Sequence, residues 1–154
     1  MARLPSSVLF ACSFNAIRSP MAEAMLKRLH GRRIYVDSVG VREALLDPFA
    51  VAVMDEIGID LRHHVPKTFD ALEDTSFDLV VSLSPEAQHK AVELTRTMAC
   101  EVEFWPVFDA TAVEGNRDER LAAYRMVRDH LRGRVIERFP ADAADLFHMA
   151  GRGA

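Results

Sequence analysis

A short apolar run, Val8-Leu9-Phe10-Ala11, stops at Cys12, and Ser19-Pro20 opens a helical pattern a few residues later. The residues Cys12-Ser13-Phe14-Asn15-Ala16-Ile17-Arg18 therefore have to carry the chain from a buried strand to a helix N-terminus. The same alternation recurs downstream. Strands are expected over Val8 to Ala11, Tyr35 to Val39, Leu79 to Leu83 and Val102 to Trp105. Helices are expected over Pro20 to His30, Pro48 to Ile57, Pro85 to Met98 and Asp118 to Arg138. In the last, Leu121, Tyr124, Val127, Leu131 and Val135 recur at spacings of three and four, which marks one buried face. Three of the helices carry Pro near the first position, where a missing N–H costs nothing. Short strands alternating with helices of this length imply a parallel sheet with helices on both sides.

The 154 residues suit one domain with one core of ordinary size. We expect residues 1–140 to form it and 141–154 to be a C-terminal helix or tail, with Asp142 to Met149 as the helical stretch. The net charge of -4 leaves no basic footprint for nucleic acid, so any anion site must be local. No run approaches a membrane span, and the N-terminus lacks the features of a targeting segment, so a cytoplasmic location is expected. Two cysteines, Cys12 and Cys100, are too few for a disulfide framework.

A strand running through a tight loop into a helix is where proteins build anion sites, because orphan backbone N–H groups converge and the helix dipole favours negative charge. Ligands of open parallel sheets also sit beyond the carboxyl ends of the strands, which is where Cys12 falls. A cysteine at such a place is a candidate nucleophile, since a helix N-terminus and a nearby guanidinium favour the thiolate. Arg18 would return toward Cys12 and clamp two oxygens of a tetrahedral anion with its planar fork. Ser13, Phe14, Asn15, Ala16 and Ile17 would supply the cradle. Ser19 could hydrogen-bond the thiolate as well as cap the helix. Asn15 is the residue expected to accept a left-handed backbone or to brace the loop through its side chain.

These residues resemble the opening signature of the low-molecular-weight protein tyrosine phosphatase family, which also includes thioredoxin-coupled arsenate reductases. The likeness continues through Asp37-Ser38-Val39-Gly40, through Met54 to Leu61 with His64, Pro66 and Lys67, and through Phe77-Asp78-Leu79-Val80-Val81. Trp105-Pro106-Val107-Phe108-Asp109 is similar to the segment carrying the family's general acid. The resemblance implies a flavodoxin-like, four-stranded parallel sheet and a two-step reaction. Cys12 would form a cysteinyl-phosphate on a phosphorylated protein or small aryl phosphate, with inorganic phosphate or another oxyanion also fitting the loop. Asp109 would protonate the leaving oxygen and then activate water. No cofactor is implied.

The chain departs from that pattern in three places. Phe14 stands where the family usually has Gly, so the loop takes a geometry that suits Phe14, or the ring lines the mouth, or the cradle is misbuilt and binds without turnover. Asp109 is followed by Ala110 instead of Pro. Ser84 occupies the place of the first relay thiol of the resembling reductases, which argues against an internal disulfide relay. Two alternatives to hydrolysis stay open: a single-thiol arsenate reductase using an external thiol, and a non-catalytic module that binds an oxyanion or phosphoprotein. His63, His64 and His89 match no zinc spacing and read as surface or rim histidines; no metal is expected. The arginines of the last helix, interspersed with acids, read as a solvated, ion-paired face. Met21, Met25 and Met54 read as core.

Overall fold

β1 (Ser7–Cys12) is the spine of the molecule. The computed structural model describes residues 4–73 and 76–141, and in it β1 is flanked on both edges by parallel partners. The sheet has the order β2-β1-β3-β4, with β2 at Tyr35–Gly40, β3 at Leu79–Ser82 and β4 at Glu101–Phe104. Its alternate residues divide the core. Val8, Phe10 and Cys12 face α1 (Arg18–His30), α2 (Pro48–Asp55) and α4 (Arg117–Arg138), whereas Leu9 and Ala11 face α3 (Pro85–Leu94). Burial on both sides is why β1 reads as an unbroken apolar run. Truncating fully buried Phe10 to Ala would cost about 3–5 kcal/mol. Met21, Met25 and Met54 are core, as their spacing suggested.

The expected elements are present, with shifted ends. α1 starts at Arg18 rather than Pro20, so Pro20 sits inside the first turn, where its N–H would have been an orphan anyway. α2 stops at Asp55 because Gly58, at φ 77°, turns the chain left-handed and lets the Ile59 N–H close on the Met54 carbonyl at 3.0 Å. α3 ends at Leu94 rather than Met98. There the Thr95 hydroxyl donates to the Val92 carbonyl at 2.6 Å and competes with the helical ladder. α4 opens with a capping box between Asn116 and Glu119. β4 is shifted one residue toward the N-terminus of its expected range. The expected C-terminal stretch, Asp142 to Met149, lies outside the described residues.

Parallel register brings all four strand ends to one edge: Cys12 pairs with Gly40, Ala11 with Ser82, and Ser82 with Phe104. Among the described residues no helix is long and apolar enough to cross a membrane.

Candidate active site

Cys12 is the last residue of β1, and the loop folds back over its sulfur. The Asn15 backbone N–H donates to Sγ at 3.3 Å, and the Ser19 hydroxyl lies 2.8 Å away. That hydroxyl has one proton to place, on Sγ or on the Val39 carbonyl at 3.3 Å; a thiolate would draw it to sulfur. α1 begins at the loop with Ile17 as its N-cap, which offers no side-chain acceptor, and with no acid in its first turn. The positive end of the helix therefore meets the loop without a competing carboxylate.

Asn15 both takes the left-handed backbone, at φ 54°, and braces the loop. Its fully buried amide uses every hydrogen bond it can make. Nδ2 donates to Ser19 Oγ at 2.8 Å and Ser38 Oγ at 2.9 Å. Oδ1 accepts from the Lys67 N–H and faces His64 Nε2, both at 3.0 Å. Ser38 in turn donates to Glu23, whose other oxygen meets Lys27 Nζ at 2.5 Å. Beneath the loop, Gly40 leaves room that no other residue could: a Cβ there would stand 2.5 Å from the Phe14 carbonyl carbon and 2.6 Å from the Asn15 nitrogen.

This network corrects the reading of His64 as a surface or rim histidine. His63 and His89 are exposed, but the His64 side chain is only 12% exposed and is held between Asn15 and Glu23. Burial pushes its imidazolium pKa down, against the pull of the Glu23 carboxylate. Sequence reasoning also left Glu23 and Ser38 without a role. A signal for Glu23 existed: it lies four residues after Ser19 and so on the same helical face.

Arg18 is buried, and its Nη1 donates to the Val107 carbonyl at 2.9 Å. That bond ties the end of the loop to the segment carrying Asp109. Asp109 Oδ1 accepts from the Thr111 N–H at 2.9 Å and the Thr111 hydroxyl at 2.6 Å, capping a single 3-10 turn over Ala110–Ala112. This cap holds the segment at the position where Ala110 replaces Pro. Cys12, Arg18 and Asp109 all line one cavity of about 420 Å³, together with Phe14, Ala16, Ile17, Leu45 and Leu46. Asp47 is a second carboxylate in its wall, unremarked in the sequence. One of its oxygens caps α2 through the Phe49 N–H and the other accepts from the Tyr124 phenol at 2.6 Å. Burial and the facing Asp47 carboxylate push the Tyr124 phenol pKa up.

Phe14 fits the loop without strain, since Asn15 alone among the described non-glycine residues takes a positive φ. Its ring lines the cavity. Ser13 is drawn toward α3, its hydroxyl donating to Ser84 Oγ at 3.1 Å, while Ser84 caps that helix. Cys100 sits at the other edge of the sheet. It precedes Glu101, which is level with Leu79 and through it with Val8. Cys100 is therefore level with Ser7, and Cys12 is five residues further along, about 16 Å, and two strands across, about 10 Å. A disulfide needs Cα atoms within about 7 Å. Among the described residues no cluster of three His, Cys, Asp or Glu could hold a metal ion.

A four-stranded parallel sheet of order β2-β1-β3-β4, with a tight loop from Cys12 to Arg18 at its carboxyl edge, defines a small class of proteins, and the chain falls in it. It belongs to the low molecular weight phosphotyrosine protein phosphatase family, whose model matches residues 7–140. The arsenate reductase of Bacillus subtilis (strain 168) is 32% identical over 130 residues, covering 84% of this chain and 92% of the reductase. Among solved structures, an arsenate reductase in its oxidized state is 28% identical with a TM-score of 0.69, covering 86% of this chain and 95% of that one. The low molecular weight protein tyrosine phosphatase from T. tengcongensis, 24% identical with a TM-score of 0.71, shares the fold over 86% of this chain and 99% of its own.

Proposed function

We propose that the protein is a cysteine-dependent phosphomonoester hydrolase acting on phosphotyrosine or aryl phosphates through a cysteinyl-phosphate. One observation carries this reading: a single cavity gathers a nucleophile, a guanidinium and a carboxyl group in Cys12, Arg18 and Asp109. The Cys12 thiolate attacks phosphorus in line, and the P–O bond to the leaving group breaks. The Arg18 fork and the loop N–H groups hold the other three oxygens as charge builds on them. Asp109 gives the departing oxygen its proton; as carboxylate it then takes one from the water that releases phosphate. Ser19 and the Asn15 N–H stabilise the sulfur as it attacks and again as it leaves.

The relatives named arsenate reductases favour a second reading, in which the Cys12 thiolate bonds arsenic as one As–O bond breaks and water leaves, and an external thiol then attacks that sulfur. Arsenite then leaves with the electron pair of the S–As bond, and a second external thiol reduces the mixed disulfide. The distance to Cys100 argues against an internal relay. Phosphate release from p-nitrophenyl phosphate, inhibited by vanadate and lost in Cys12→Ala, is the expected result. Unchanged turnover in Cys12→Ala would overturn the hydrolase. Thiol-dependent arsenite formation without any phosphoester hydrolysis would select the reductase.

A further inference from the structure

We propose that Asp47 is a specificity-determining residue of the cavity, and that it selects small phosphomonoesters whose leaving group carries a positive charge. This rests on the hydrolase reading above and narrows it to one substrate chemistry.

A carboxylate in the wall of a cavity that takes a phosphate dianion opposes its own ligand. Capping α2 does not require that charge, since Ser84 caps α3 and Asn116 caps α4 without one. Asp47 is also fixed in place. Its Oδ1 accepts from the Phe49 N–H at 2.8 Å and its Oδ2 from the Tyr124 phenol at 2.6 Å, while its own N–H donates to the Ala16 carbonyl at 3.3 Å. Two accepting oxygens are the pattern of an ionised carboxylate, and the N-terminus of α2, with no other acid in its first turn, favours the negative form.

The charge lies on the side of the leaving group. The buried Tyr124 phenol donates to Asp47 and also feels the Asp109 carboxylate, so both acids act on one hydroxyl. Asp109 is the group that hands its proton to the departing oxygen, and Asp47 therefore stands beside the path of whatever that oxygen carries. Among the described residues lining the cavity, Arg18 is the one cation, and it serves the phosphoryl group. Arg120, which also acts on the Tyr124 phenol, lies over the Phe49 ring and does not line the cavity. Once Asp109 carries its proton, the leaving group meets apolar walls such as Phe14, Leu45 and Leu46 and a single negative charge. An ammonium within about 7 Å of that charge gains roughly tenfold in affinity at the dielectric of a partly open site, and a carboxylate loses as much.

The test compares three esters of similar leaving-group strength: the phosphates of tyramine, para-ethylphenol and para-hydroxyphenylpropionate, which carry an ammonium, no charge and a carboxylate. Their kcat/KM should fall in that order, with the tyramine ester about tenfold or more above the propionate ester. Asp47→Asn, its fold checked by circular dichroism, should lower kcat/KM for the tyramine ester and raise it for the propionate ester. A merely structural role would lower all three alike, and that outcome would overturn the assignment, as would a selectivity unchanged in the variant. Should the variant not fold, the wild type decides: raising salt to about 1 M should shrink the selectivity several-fold, and indifference to salt would overturn it. Equal hydrolysis of the three esters would sink the selectivity and leave the hydrolase standing. If none is hydrolysed, calorimetric binding of the same esters separates the two ideas. Several-fold tighter binding of the tyramine ester would keep the role of Asp47 and sink the hydrolase, and equal or absent binding would sink both.

Discussion

The two cysteines sit at opposite edges of one sheet, and the edges could hardly differ more. At the carboxyl edge, helix α1 begins, its dipole favours anions, and buried side chains from Asn15 to Glu23 fix the loop around Cys12. At the amino edge, where α3 has ended, Cys100 lines an open hollow with Leu4, Pro5, Asp78 and Arg138. Burial pushes the Cys100 thiol pKa up, away from the thiolate. In a parallel sheet the direction of the strands alone decides which cysteine meets helix N-termini and which does not.

The sharpest way to break this comparison is to exchange the cysteines' fates. Cys12→Ser should reduce aryl-phosphate turnover by about 10⁴-fold or more, whereas Cys100→Ser should leave it unchanged, read by initial rates. Asp109→Asn should cost about 10²–10³-fold in kcat, with a larger loss for phenyl phosphate than for p-nitrophenyl phosphate, because the poorer leaving group needs the proton more. Asn15→Ala should lower folding stability by about 3 kcal/mol in urea melts, through the lost buried hydrogen bonds and the left-handed backbone. Asn15→Gly should recover part of that loss, since Gly accepts the backbone but not the bracing.

The smallest effect lies far from either cysteine. Hydrogen bonds from Arg125 and Arg128 hold the exposed Glu56 carboxyl down to about 2. A lowered folded pKa stabilises the fold above the unfolded value and loses that stabilisation as pH falls toward 2. Glu56→Gln should therefore narrow its gap to the wild type in thermal melts as pH drops below about 4. High salt at neutral pH should shrink the same gap, as befits a surface pair.

Local patterns told most of this in advance. An unbroken apolar run gave away a strand buried on both faces, and Asn15 was recognisable because its side chain suits a left-handed turn. The end of α3 is hidden from the sequence because the Thr95 hydroxyl competes with the ladder, and that of α2 because Gly58 turns left-handed. The brace under the loop was harder to see. Asn15 meets Ser38 and His64 across 23 and 49 residues, and only the folded sheet brings those together. His64 beside exposed His63 carries no mark of burial in the sequence, because the groups that enclose it, Asn15 and Glu23, lie far away along the chain.

Ser84 shows how a change of chemistry can be priced in stability. Its one oxygen accepts from the Ala87 N–H, opening α3 cleanly, and from the Ser13 hydroxyl, steadying the loop after Cys12. A sulfur at this position accepts hydrogen bonds weakly, so installing a redox relay there would remove a cap of about 1 kcal/mol and slacken the neighbouring loop at once. Building an internal thiol relay into this scaffold would call for reinforcement elsewhere in α3, before any second thiol was supplied.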